Sequence, residues 1–363
     1  MVQQIRPSSL EKQGFRNLIY NGDMMIHQRT GSIQVTTSDT YVLDGFGVET
    51  RVVDGASYDA TWSQSTTVPA GQGFKYSLKC DVASTTTPSG SDNYLLRHCI
   101  EDNLLQHLDI GTANAKTFTV SFWVRSSKTG TYGFQIRDMP ATDHVVVEYT
   151  ISSADTWEHK VITIAGNTGG NMTLVGNAGY DLHWHLSTGS GDHASATSNA
   201  FADNSSNLFR STSNQVNLFD SATAEWYITG IQFEVGNQAS EFEHVPRDVQ
   251  LARCQRYYYQ IPNVPTSDYK GLGVGSLASA SLAVFDNEHI VPMRATPTIT
   301  EVGSLHVSDH VGNRAFAVST SYSTTERLTF NVTTASASNS PGTCVFTNAS
   351  GSGNYLTVSA EYS

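Results

Sequence analysis

Residues 225–260 read EWYITGIQFEVGNQASEFEHVPRDVQLARCQRYYYQ, and the spacing of their apolar positions changes along the run. From Trp226 to Val235 the spacing is that of a strand. Tyr227, Ile231, Phe233 and Val235 fall on one face, and Trp226 and Ile228 on the other. A strand that is apolar on both faces belongs in the middle of a β-sandwich, because a rim strand keeps one face wet. The following run takes a helical step. Pro246 suits a first turn, Asp248 lies toward the positive helix end, and Arg253 and Arg256 lie toward the negative one. Leu251, Cys254 and Tyr258 make one apolar stripe, and Ile261-Pro262 stops it. The spacing predicts a short linking helix over residues 246–262.

On either side of this stretch the chain reads as β. Phe74, Tyr76, Leu78, Cys80 and Val82 alternate with Lys75, Ser77, Lys79 and Asp81. The same rhythm returns at Phe118–Val124, Tyr132–Ile136 and Val145–Ile151, with turn clusters such as Ser126–Thr131 between several strands. Many short alternating strands imply an all-β fold of two stacked sheets. Beyond the helix, Ser276–Phe285, Arg327–Thr333 and Tyr355–Ala360 alternate again and predict a second, smaller β-sandwich. The expected domains are an N-terminal arm (1–16), a sandwich (17–245), the helix (246–262) and a C-terminal β domain (263–363). Ser187–Ser213 is polar and too long for an ordinary connection, so it is expected to cover an edge or end of the first sandwich.

Composition narrows the function. The 363-residue chain carries a formal charge of −12 and has no cluster of Lys and Arg, which argues against a nucleic-acid binder. No segment reaches the length of apolar residues that spans a membrane, and the first fifteen residues lack a signal-type apolar core. Synthesis in a cytoplasm without membrane insertion is the expectation. Cys80, Cys99, Cys254 and Cys344 are scattered, and Cys80 and Cys254 read as small buried hydrophobes. No motif of nucleophilic, phosphate-binding or metallopeptidase type occurs, so no catalytic residue and no cofactor is assigned.

One constellation suits binding. Trp123 and Arg125 lie on the polar face of Thr117–Arg125, and Gln135 and Arg137 on the polar face of the next strand. If those strands pair as a hairpin, an indole, two guanidiniums and an amide share one surface. That surface would stack on a sugar ring while donating to its hydroxyls. The competing expectation is that Trp123 packs under the long polar segment or against another subunit. His183 and His185 point the same way on a strand, near Asp192 and His193, but define no third metal ligand. They read as an exposed polar face with Trp184 inside, and no metal is assigned.

The order of three motifs resembles a family of bacteriophage virion proteins. These are Asn17–Arg29 (NLIYNGDMMIHQR), Thr117–Asp138 (TFTVSFWVRSSKTGTYGFQIRD), and WYITGIQFEVG followed by SEFEH and QLARCQRYYYQ. The resemblance spans roughly residues 17–260. It implies a jelly roll similar to carbohydrate-binding modules, a CQRY-type helix and a second β domain. It further implies a virion protein displayed on the particle, fibre-like and trimeric, whose partners are other virion structural proteins and host surface polysaccharide. A decoration protein bracing the shell without binding glycan is the alternative, and a capsule depolymerase a third. Relatives of the sugar-binding type hold calcium near the first strand, where Asp23 or Asp44 would serve. The last strand departs from their pattern, with Thr229 and Gly230 where acidic residues are usual.

Overall fold

A computed structural model describes residues 15–29, 31–36, 39–141, 143–172, 175–194, 198–202, 210–261, 271–279, 281–309, 312–334, 342–348 and 354–362. The chain divides into two compact units, Met1–Pro246 and Arg247–Ser363, and both are built of strands.

The first unit begins with β1 (Ile33–Val35), β2 (Thr40–Leu43), β3 (Phe46–Arg51), β4 (Ala60–Ser65) and β5 (Ser77–Val82). Then come β6 (Asn93–Glu101), β7 (Phe118–Ser126), β8 (Gly130–Asp138), β9 (His144–Ile151) and β10 (Glu158–Ile164). It ends with β11 (Ala178–Thr188), the two-residue β12 (His193–Ala194) and β13 (Ser211–Thr212), and β14 (Glu225–Val235). One six-stranded sheet has the order β1-β4-β5-β14-β7-β10, and a second has β2-β3-β6-β11-β8-β9. Successive strands β5, β6, β7 and β8 alternate between the sheets, which is the jelly-roll way of stacking them.

Alternation decides which side chains enter the core. Phe118, Val120, Phe122 and Val124 of β7 are fully buried and face inward. Across the interior Phe122 meets Trp184 edge-on at 5.9 Å and Phe134 at 6.2 Å. Burying aromatic area on this scale, about 1.5–3 kcal/mol for each large side chain, is what joins the two sheets.

β14 lies near the middle of its sheet and breaks its own alternation. Its pairing with β7 shifts register between Thr229 and Gln232, and Gly230 has φ +62°. A β-bulge adds one residue, so the parity of the faces reverses. Trp226 and Ile228 point into the core before the bulge, and Ile231 and Phe233 after it. The two apolar faces expected from the sequence are therefore one apolar face, offset by one residue. Tyr227 lies outside that core, covered by Trp157 at 6.2 Å and by the Arg125 guanidinium at 4.9 Å.

The N-terminal motif closes around this bulge. The Ile231 N–H donates to the Gly22 carbonyl at 2.9 Å, and the Leu18 N–H to that of Phe233 at 3.1 Å. A Cβ at Gly22 would stand 2.2 Å from the Ile231 carbonyl oxygen, so only glycine allows this approach. Except for Phe15 and Arg16, the expected arm lies outside the described residues.

The described parts of the long polar segment cover the outer edge of the second sheet, as expected. Ala202 exchanges backbone hydrogen bonds with His144 of the edge strand β9 at 3.0 and 3.2 Å, and the Ser198 N–H donates to the Val146 carbonyl at 3.1 Å. From Arg210 onward the chain also reaches across the outer face of that sheet. Gln215 Oε1 accepts the Gly133 N–H at 2.6 Å, and Arg210 reaches Glu49 on β3 at 2.7 Å. Thr212 donates to Glu148 on β9.

The second unit opens with α1 (Arg247–Gln255), shorter than the expected helix. Its buried positions are Gln250, Cys254 and Gln255, while Tyr258 belongs to β15 (Tyr258–Ile261). The reason is the ladder: Tyr258–Ile261 pairs with Leu356–Ser359, which satisfies the backbone groups a helix would otherwise have used. The remaining strands are β16 (Gly271–Ser279), β17 (Leu282–Glu288), β18 (Thr298–Val302) and β19 (Leu305–Asp309). β20 (Gly312–Ser321), β21 (Arg327–Thr334), β22 (Gly342–Asn348) and β23 (Tyr355–Ser359) follow. The second unit is all β as expected, but it is not the expected sandwich of two open sheets. Six of its strands close as a barrel, β16-β17-β21-β20-β19-β22, beside a three-stranded sheet, β15-β23-β18. Phe285 stacks on Phe330 at 4.7 Å, and Phe346 meets Phe285 edge-on at 4.9 Å, filling an interior that two open sheets would have shared differently. All four cysteines are buried and unbridged.

Candidate functional site

The hairpin expected from Thr117–Asp138 does not form. β7 pairs with β14 and β10 in one sheet, whereas β8 pairs with β11 and β9 in the other. Trp123 and Arg125 therefore face outward from one side of the sandwich, and Gln135 and Arg137 from the opposite side. The four residues do not share a surface.

Trp123 lines an open groove of about 450 Å³ on the outer face of its sheet, within the roughly 300–1,000 Å³ typical of small-molecule sites. On one side it is half-buried and packs against His159, its cross-strand partner on β10, at 5.0 Å. Burial lowers the pKa of the His159 imidazole. On the other side stand Phe74, Phe242 and His244, with mutual ring distances of 5.0–5.4 Å. Buried Ser121 and Gly230 lie between, and Gln72, Ser240 and Glu241 form the polar rim. A Cβ at Gly230 would come within 2.5 Å of the Phe74 ring, so the bulge glycine makes room for that ring.

The second wall is held by a clip on the outer side of β14. Ser240 donates its backbone N–H and its hydroxyl to Glu234, at 2.8 and 2.6 Å, and the Glu243 N–H donates to Gln232 Oε1 at 2.8 Å. These bonds fold Ser240–His244 back over the strand and present Phe242 and His244 to the groove. Asn17 fastens the base, donating its backbone N–H to Glu243 Oε2 at 2.8 Å.

Arg125 stands apart from the groove. Its Nε donates to the Asp155 carbonyl at 2.9 Å and its terminal nitrogen to the Asp155 carboxylate at 2.8 Å, over the Tyr227 ring. Gln135 is fully buried under the polar segment, where its Oε1 lies 2.9 Å from His183 Nδ1. Arg137 is half-buried near Asp181 and Glu49, and desolvation lowers its pKa. Gln135 and Arg137 thus belong to an interior polar layer and leave the candidate site.

His183 and His185 belong to the same layer and are completely buried, not exposed, while Trp184 is in the core as expected. Asp181 lies 2.9 Å from the Arg97 guanidinium and 3.1 Å from His183 Nε2. Burial pushes the Asp181 carboxyl up, but His183 and Arg97 pull it further the other way, to about 2. His185 makes no side-chain hydrogen bond among the described residues, and burial holds its pKa well below the ordinary value. Among the described residues no three His, Cys, Asp or Glu side chains converge as metal ligands. Asp44 accepts both the backbone and the side-chain N–H of Gln28, at 2.7 and 2.6 Å, and burial raises the pKa of Asp23.

Of the groove residues, the sequence pointed to Trp123 alone. Phe74 alternates with core positions and reads as one of them, yet it packs on Phe242. The available signal was Phe242-Glu243-His244, two aromatic rings two residues apart just after a strand.

No family model matches the sequence, and no curated protein matches it. Among solved structures, the chain is similar to the enzymatically active domain of tailspike protein 4 of bacteriophage CBA120, at 12% identity and a TM-score of 0.33. The match covers 61% of this chain and spans only 22% of the tailspike chain. It is also similar to a family 11 carbohydrate-binding module from Clostridium thermocellum, solved with a β-1,3-1,4-mixed-linked tetrasaccharide. That match has 11% identity and a TM-score of 0.28, covering 58% of this chain and all of the module.

Proposed function

We propose that this protein is a bacteriophage virion component displayed on the particle, and that it holds host-surface glycan in the groove between Trp123 and Phe242. The observation that supports binding is the composition of that groove. Aromatic faces on two sides suit the C–H faces of a sugar ring, and the Gln72, Ser240 and Glu241 rim supplies hydrogen-bonding groups for hydroxyls. The proposed role is contact without reaction. Among the described lining residues Glu241 is the single carboxylate, whereas glycoside cleavage by the usual route needs two flanking the bond.

The virion assignment draws on the order of the Asn17–Arg29, Thr117–Asp138 and Glu225–Gln260 motifs. In this reading the N-terminal residues attach to other virion proteins. Several copies, a trimer in the fibre form, turn a weak sugar contact into avidity. A glycan array made from host envelope material, probed with the wild-type chain and with Trp123→Ala, tests the binding. Signal lost in the variant supports the proposal, and no signal from any envelope glycan removes it. Imaging of the particle with an antibody to this chain tests the location.

A further inference from the structure

We propose that the groove selects its sugar by charge, accepting uncharged or amine-bearing units and rejecting uronic and sialic acids. This rests on the reading of the groove as a sugar site. Among the described residues, neither Lys nor Arg lines the groove. The Glu241 side chain is exposed and makes no hydrogen bond or ion pair among the described residues, so its carboxylate is available to a ligand.

The nearby cation is already engaged. The Arg16 guanidinium donates to the Glu241 backbone carbonyl at 2.6 Å and lies 3.4 Å from the Glu234 carboxylate. Glu243 is a third carboxylate in the same short segment, occupied by the Asn17 N–H. A sugar carboxylate set between Trp123 and Phe242 would lose water, find no positive partner and face Glu241. Leaving a charge desolvated and unpaired beside a like charge is how a site excludes a ligand. A sugar ammonium, or a pair of hydroxyls, would instead gain a charge-assisted hydrogen bond from the same carboxylate.

The test is a panel of bacterial surface glycans sorted into neutral, amine-bearing and acidic classes, read with the full chain at about pH 8, where imidazoles are neutral. Neutral and amine-bearing glycans are expected to bind at least about tenfold more tightly than acidic ones of equal length. The discrimination should shrink at about 1 M salt, where the Debye length is near 3 Å. Glu241→Gln should narrow it, and Glu241→Lys should raise acidic binding. Acidic glycans that bind wild type as tightly as the rest, and lose that binding in Trp123→Ala, would overturn the charge selection while leaving the groove a sugar site. Binding by no class at all would remove both.

Discussion

The side-chain oxygen of Asn17 accepts the backbone N–H of Phe233 at 3.0 Å, and its amide nitrogen donates to the Ile231 carbonyl at 3.0 Å. One buried side chain thus spans the residues just after the bulge in β14 and supplies hydrogen bonds on the side of the strand where pairing with β5 has ended at Ile228. The groove wall depends on the same place, because Asn17 also holds Glu243.

Asn17→Ala is expected to leave buried N–H and C=O groups of β14 unpaired. The cost should be about 1–3 kcal/mol for each group left without a partner. The midpoint of the first unit's unfolding in denaturant would fall, while a variant with an unchanged midpoint would mean that water replaces the side chain fully.

Gly230→Ala meets two obstacles, a positive φ and the Phe74 ring. A loss of about 1–3 kcal/mol is expected, the range for strained backbone. The substitution should also weaken glycan binding, since Phe74 must move to admit the new carbon. Calorimetric unfolding together with a binding titration checks both.

Phe242→Ala and Gln135→Ala separate the two faces of the sandwich. Phe242→Ala should weaken glycan binding about tenfold or more, in line with 0.5–1.5 kcal/mol for an aromatic contact plus lost apolar area. Gln135→Ala should leave affinity unchanged but destabilise the fold, because His183 Nδ1 loses its partner. If Gln135→Ala abolished binding with stability intact, the ligand would sit on the other sheet.

The buried layer predicts a pH dependence whose sign follows from each group. His185 has a lowered folded pKa, so it stays neutral when folded and gains a proton on unfolding. Its stabilising contribution is complete above about pH 6.5, the unfolded value, and is lost as pH falls. Asp138 acts in the opposite direction. Burial raises it to about 6, so the folded state binds the extra proton and stability rises as pH falls toward the unfolded value near 3.9. Asp181, held at about 2, contributes stability above its unfolded pKa that is lost in stronger acid. Replacing His185 with Gln should therefore remove a loss of up to about 1.4 kcal/mol per pH unit below pH 6.5. Unfolding titrations of both proteins between about pH 5 and 7.5 measure the difference.

Much of the fold is written locally. The rhythm of Phe118–Val124 names its inward residues correctly because a strand's faces alternate whatever it pairs with. Pairing itself is not local. A short turn after Ser126 favours a hairpin, but the Ser127 N–H donates to the Glu225 carbonyl at 3.0 Å, nearly a hundred positions away, and β8 departs to the other sheet. That one long-range choice is why the sequence places Trp123 on the face that holds the groove but puts Gln135 and Arg137 on the wrong surface. The bulge at Gly230 hid in the same way, since a single added residue leaves both faces of the string looking apolar. Phe242 and His244 needed the Glu234 clip, which no periodicity reports.

The closed barrel of the second unit has a consequence for crowded copies. Each of its six strands is hydrogen-bonded on both sides. A strand can leave only by breaking two ladders at once, so the fraying that begins sheet-to-sheet aggregation has no cheap starting point there. Neighbouring chains meeting at high local density would find in that barrel no unpaired rim on which to zip.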